Sequence, residues 1–210
     1  MPVDVLETCT DFAVHERPPQ PGITYTAFCD AAGGTGSDSF TLAVAHYDKA
    51  HETVIMDLCR ERAPRFVPAA VIAEFAQQLK LYRISSVMGN SFAGGFHADE
   101  WTRNGITFRS CPRTTSENYL HALPLLLSGR VQLIDSSKLR AQLASLERHV
   151  LAGREVVRHP AVASAHDDIA AAAAGAIAAV KQAAAVPEVP IVMPIIISDM
   201  APSPIRPTPG

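Results

Sequence analysis

Thr24-Tyr25-Thr26-Ala27-Phe28-Cys29-Asp30, running into Ala31-Ala32-Gly33-Gly34-Thr35-Gly36, is the stretch on which the reading of this chain turns. Its β-branched and aromatic residues predict a strand, and the glycines after it predict a turn. Asp30 is the only charge in the strand and stands at its end. Alone it reads as a turn-capping aspartate, since Asp bonds its own backbone in turns. The glycine run contains neither G-x-x-x-x-G-K-[ST] nor G-x-G-x-x-G, so it is no phosphate cradle and no bound nucleotide is expected. Residues 39–46 and 53–59 repeat the strand composition after short turns, and three such strands predict an antiparallel meander.

Outward from the meander the apolar period changes from two to nearly four. Pro68 suits a helix's first turn, and Val71, Ile72, Phe75, Leu79 and Tyr82 form one helical face over residues 68–82. A short strand at 84–88, ending at Gly89, precedes a helix over 96–103 that Asn104-Gly105 stops. A strand at 106–109, a helix at 116–127 and a strand at 131–134 follow. Ser136 or Ser137 caps a helix with Leu139, Leu143, Leu146 and Val150 on one side. The last helix starts near His166 and runs through alanines, whose small side chains favour both helix and close packing. The expected fold is α/β, a mixed β-sheet flanked by α-helices.

Proline marks both ends. Residues 1–22 read as a linker or lead-in closing on Arg17-Pro18-Pro19-Gln20-Pro21-Gly22, and 186–210 as a Pro-rich C-terminal tail whose Ile195-Ile196-Ile197 could add an edge strand. The body is then 23–185, one domain, as 210 residues allow. The 48% hydrophobic and 19% charged residues are a globular composition, and a formal charge of −3 excludes a uniformly basic nucleic-acid coat. Cys9, Cys29, Cys59 and Cys111 form no C-x-x-C pair, which fits reduced thiols in a cytoplasm and neither a disulfide framework nor a zinc knuckle. The N-terminal residues, with Asp4, Glu7 and Asp11, lack a secretory signal. The apolar run 169–180 is shorter than the ~20 residues a membrane span needs, so a soluble chain without a membrane partner is expected.

Three places carry possible chemistry. Asp30 is one. His166-Asp167-Asp168 is the second: adjacent carboxylates at a helix N-terminus are favourable caps, and the same placement can hold a divalent ion. Gly89-Asn90 is the third, because it ends a short strand expected beside the one that ends in Asp30. His15, His46, His51, His97, His121, His149 and His159 show no ligand spacing and read as surface or minor packing residues. Ser91 and Ser116 have no adjacent base that would make either a nucleophile.

Phe28-Cys29-Asp30-Ala31-Ala32-Gly33-Gly34 with Asp38-Ser39-Phe40-Thr41 resembles the opening strands of the C-terminal nuclease domain of phage large terminases. Gly94-Gly95-Phe96 with Ala98-Asp99-Glu100-Trp101 continues the likeness, as does Ser116-Glu117-Asn118-Tyr119 with Leu123-Pro124-Leu125-Leu126. Ser128-Gly129-Arg130-Val131 with Leu133, then Gln142-Leu143 with Leu146-Glu147-Arg148, and finally His166-Asp167-Asp168 complete it. Each motif is weak alone; the ordered set spans residues 25–180.

The resemblance implies an RNase H-like fold and a Mg²⁺- or Mn²⁺-dependent endonuclease that cuts concatemeric double-stranded DNA through a two-metal site. It implies Asp30, Asn90, Asp167 and Asp168 as the catalytic and metal-holding positions, with Asp38 and His166 supporting them. It also implies the terminase ATPase domain, small terminase subunit and portal as partners, in the cytoplasm of a bacterial host. The motor domain that precedes the nuclease in that family is not expected in this chain. Two departures stand out. The family's Gly-Asp reads Gly89-Asn90, and its Lys-Ser-Glu reads Thr115-Ser116-Glu117. Asparagine offers an ion a carbonyl oxygen but no charge, or else is a turn residue with Asp99 or Glu100 supplying the charge. Arg103, Arg109 and Arg113, with Lys138, Arg140 and Arg148, are candidate DNA contacts or solvated surface charges. Two other readings stay open: a degenerate module that grips DNA or packaging partners without cutting, and another RNase H-like enzyme such as a resolvase.

Overall fold

Alternation along the Tyr25–Asp30 strand sends Phe28 into one core and Ala27 and Cys29 into another, so the sheet is covered on both faces. A computed structural model of the chain describes residues 1–90, 94–151, 153–160 and 166–184. In chain order it holds α1 (Val3–Thr8), β1 (Thr10–Asp11), β2 (Tyr25–Asp30), β3 (Phe40–Asp48), β4 (Thr53–Arg62), α2 (Pro68–Leu81), β5 (Ser86–Gly89) and α3 (Gly94–Arg103). Then come β6 (Thr107–Ser110), α4 (Thr115–Leu127), β7 (Val131–Ile134), α5 (Ser137–Ser145), β8 (Glu147–Leu151), β9 (Arg154–Arg158) and α6 (Asp168–Ala184).

The expected meander forms: β2 and β4 pair antiparallel with β3, with Asp30 opposite Thr41 and Phe40 opposite Arg62. Parallel strands extend it on both sides, giving a seven-stranded mixed sheet of order β1-β7-β4-β3-β2-β5-β6. On one face α2 buries Val71, Ile72, Phe75 and Leu79 against Phe40, Leu42 and Val44 of β3, with Trp101 of α3 in the same core. Burying each such large side chain stabilises by roughly 1.5–3 kcal/mol. On the other face α6 lies over Ala43 and Ala45 of β3, and alanine on both partners lets helix and sheet approach closely. Gly175 sets that distance, since a Cβ there would stand 2.4 Å from the Phe28 ring.

Two expectations fail. The lead-in is not all linker: Leu6 of α1 is fully buried, and β1 joins the sheet edge with Thr10 opposite Leu133. Arg17 then ties the following segment down, donating to Asp11 at 2.9 Å, while its carbonyl accepts from the Tyr82 hydroxyl. A two-residue strand and a six-residue helix are too short to show a period. The helix expected to run to Val150 stops at Ser145; Leu146 is extended, at ψ 134°, and starts the antiparallel β8–β9 hairpin. Its charged residues, Glu147, Arg148, Glu155 and Arg158, hide the strand pattern. The expected tail, its Ile195-Ile196-Ile197 patch and Ser91 lie outside the described residues.

Candidate active site

The site grows from two parallel neighbours. β2 and β5 pair with Cys29 opposite Gly89, so Asp30 and Asn90 leave the sheet side by side at the carboxyl ends of their strands. Gly89 is required for this: a Cβ there would lie 2.8 Å from the Cys29 carbonyl oxygen and 2.8 Å from the Phe108 ring. Asn90 Nδ2 donates to Asp30 Oδ1 at 2.8 Å and stands 3.3 Å from Thr115 Oγ1.

The middle strand of the meander, β3, brings in the distant carboxylates. The Ser39 amide, just before β3, donates to Asp168 Oδ2 at 2.8 Å, and Thr41 Oγ1 donates to the Asp168 carbonyl at 2.8 Å. Asp167 Oδ2 accepts from the Tyr119 hydroxyl of α4 at 2.8 Å. His166 Nδ1 stands 3.6 Å from Asp38 Oδ1, and His159 Nε2 stands 3.9 Å from Asp167 Oδ1. Asp30, Asp38, Asn90, His159, His166, Asp167 and Asp168 all line one open cavity of about 940 Å³.

Burial governs the electrostatics, and the crowding of carboxylates adds to it. Burial, opposed by the Asn90 hydrogen bond and helped by Asp168, Asp167 and Asp38, pushes the Asp30 carboxyl from 3.8 up to about 7. Burial also raises Asp168, partly offset by the Ser39 amide, with Asp38 adding to the rise. Among the described residues no three His, Cys, Asp or Glu side chains are spaced to hold an ion as they stand. The donor chemistry nevertheless fits a hard divalent cation: the available ligands are carboxylate oxygens, and the repulsion among them is what such a cation offsets. Asp30, Asp167 and Asp168 are the residues that would hold it.

Comparison with known proteins adds the fold. No protein-family model and no curated protein matches the sequence. Among solved structures, the large terminase nuclease of thermophilic phage G20c superposes with a TM-score of 0.67 at 17% identity, covering 83% of this chain and 95% of that one. The large terminase of bacteriophage HK97 gives 0.62 at 14% identity, over 85% of this chain and 43% of that one. The nuclease domain of the large terminase subunit of bacterial virus Sf6, a K428A mutant with manganese and beta-thujaplicinol, gives 0.64 at 11%, over 84% and 97%. A further G20c structure contains magnesium.

The fold is that of the large terminase nucleases.

Within this terminase-type, RNase H-like fold the expected site residues meet at one cavity, but Asn90 turns its amide and not its carbonyl oxygen toward Asp30. The orientation follows from charge, because an ionised Asp30 can only accept. Asp99 is exposed and Glu100 pairs with Arg103 at 2.9 Å, and neither lines the cavity. The basic candidates scatter. Arg113 lines the cavity, its Nε donating to the buried Asn118 at 2.9 Å. Arg109 lies on edge strand β6 beside a different pocket. Lys138 pairs with Glu61, Arg140 with Asp135 at 2.8 Å, and Arg148 with Glu155. Sequence reasoning missed Tyr119, whose apolar neighbours disguise it as core, and His159, which lacks any motif. Ser116 is a support: its Oγ accepts from the Val157 amide of β9 at 2.9 Å.

Proposed function

We propose that the folded unit from α1 to α6 is a divalent-metal-dependent endonuclease domain that cuts double-stranded DNA during phage genome packaging. The carrying observation is the meeting of Asp30, Asp167 and Asp168 on one open cavity at the strand ends of a terminase-type sheet. Magnesium or manganese held there would activate water and offset the charge that builds on the phosphate in phosphodiester hydrolysis, and two-metal sites do both. The chain's own part is to hold the carboxylates. β2 presents Asp30, the Ser39 amide and Thr41 hydroxyl fasten Asp168, and Tyr119 fastens Asp167. Asp38 and His166 brace each other at the rim, and Arg113 is the arginine placed to meet a phosphate. In this reading DNA translocation is the work of a terminase ATPase domain, with small subunit and portal as further partners. Among the described residues no helix is long and apolar enough to cross a membrane.

A second reading has its own observation. The Asn90 amide supplies a neutral donor to Asp30, which favours a module that keeps the fold and DNA contact while cutting slowly or not at all.

Linearised and supercoiled plasmid incubated with the chain and Mn²⁺ separates the two. The nuclease reading expects slow cutting that EDTA and Asp30→Asn abolish and Asn90→Asp accelerates. It is rejected if neither the chain nor Asn90→Asp cuts; retained duplex binding then leaves the binding module.

A further inference from the structure

The start of α4 touches three residues of the cavity wall: Thr115 reaches Asn90, Asn118 the Arg113 guanidinium, and Tyr119 the Asp167 carboxylate. Asn118 and Tyr119 are buried, whereas Thr115 and Ser116 are only partly so, and of the two buried residues it is Tyr119 that reaches a carboxylate. Its ring is locked in the core among α4 and α6 side chains, so the hydroxyl has a fixed direction, and that direction is Asp167 Oδ2 at 2.8 Å.

The start of α6 gives the contact its meaning. The Ala171 amide donates to the Asp167 carbonyl at 2.7 Å, which makes Asp167 the residue before the helix's first turn. A side chain there ordinarily turns back to accept from an amide two or three residues on. Here the Ala170 amide donates instead to Oε1 of the buried Gln142 from α5, at 3.0 Å. Gln142 therefore does the capping, and the Asp167 carboxylate is left to Tyr119 and the cavity.

We infer that Tyr119 is a positioning residue that aims Asp167 at the cavity as an ion ligand, and that Gln142 frees Asp167 for this by capping α6 in its place. The inference rests on the proposed reading of the cavity as a divalent-cation site. Residues that orient metal ligands typically contribute about 10–100-fold in metal affinity. Tyr119→Phe deletes one oxygen and keeps the ring.

The test is a Mn²⁺ titration of the full chain followed by electron paramagnetic resonance, with melting in EDTA as a check on the fold. Tyr119→Phe is expected to weaken Mn²⁺ about tenfold or more while melting within a few degrees of the parent. On an Asp167→Asn background it should weaken Mn²⁺ no further, because the residue it acts through is already disabled. An affinity within twofold of the parent overturns the inference, and so does an equal loss on both backgrounds, which marks general loosening. If Tyr119→Phe does not fold, the same comparison is read on Gln142→Leu, which frees the Ala170 amide to recapture Asp167. A parent that takes up no Mn²⁺ overturns the cation reading and this inference together, whereas a Mn²⁺-binding parent with an unaffected Tyr119→Phe overturns this inference alone.

Discussion

The side-chain amide of Asn90 donates to the Asp30 carboxylate across 2.8 Å, joining the ends of two parallel strands. Where the resembling family carries a second acid, this chain carries a donor, so the pair holds one negative charge at most. That lowers the cost of keeping Asp30 buried and lowers the attraction for a cation.

Replacing the donor with an acid should reverse both effects. Asn90→Asp should raise Mn²⁺-dependent plasmid cleavage well above that of the chain as it is, and adding Asp30→Asn should abolish the gain. Without metal the same change removes a hydrogen bond to a charged group, a loss of about 1.5–3 kcal/mol, and sets two carboxylates together. Melting in EDTA should therefore fall and recover with Mn²⁺. Equal cleavage by the two proteins would show that Asn90 is not a disabled ligand.

Asp30 also predicts how stability depends on pH. Its folded pKa, about 7, lies above the ordinary 3.8, so between these values the folded state holds the extra proton. Stability from this group is then fully present below about pH 4 and is lost as pH rises through 7. Asp30→Asn cannot titrate. In EDTA its melting point should pull ahead of the parent's between pH 4 and 7 and keep a constant lead above that. At roughly 2–4 °C per kcal/mol for a chain of this size, the lead is measurable by calorimetry. A lead that does not change with pH would count against a buried, raised Asp30.

Gly89→Ala tests the close approach of β5 to β2. The new methyl meets the Cys29 carbonyl and the Phe108 ring at 2.8 Å, and overpacking of this kind costs about 1–3 kcal/mol. Urea denaturation should show that loss, and Mn²⁺ affinity should drop as Asn90 and Asp30 separate. Gly33→Ala, where a Cβ meets nothing within 4 Å, serves as the near-neutral control.

Leu6 tests whether the first residues belong to the folded unit. It is fully buried in the α6-side core, so Leu6→Ala should cost about 2–5 kcal/mol in urea denaturation. A change under about 0.5 kcal/mol, the usual size for a surface position, would return α1 to the status of a lead-in.

DNA affinity should be weak and salt-dependent, since the net charge is −3 and many of the cations face acids within the chain. Arg113→Ala should weaken duplex binding and lower the slope of log K against log salt by about one, the share of one phosphate contact. Lys138→Ala, which removes a partner of Glu61, should leave that slope unchanged. Fluorescence anisotropy over a salt series reads both, and submicromolar binding to random duplex at physiological salt would contradict the scheme.

By itself the sequence determined the β2–β3–β4 meander, the α2 face, the alanine-rich α6 and the placement of Asp30 at a strand end. Each depends on propensity and period within a few neighbouring residues, and these survive without knowledge of the rest of the chain. The order of motifs also pointed to the terminase nuclease fold before any contact was known. Tertiary structure alone decided what the site's side chains do. Asn90 meets Asp30 across 60 residues of chain, Tyr119 meets Asp167 across 48, and the Ser39 amide meets Asp168 across 129. It likewise set β1 on the sheet edge and broke the expected α5 into a hairpin at Leu146. Such contacts form because the assembled sheet brings strand ends and a helix start to one point, and no local pattern encodes which donor then faces which carboxylate.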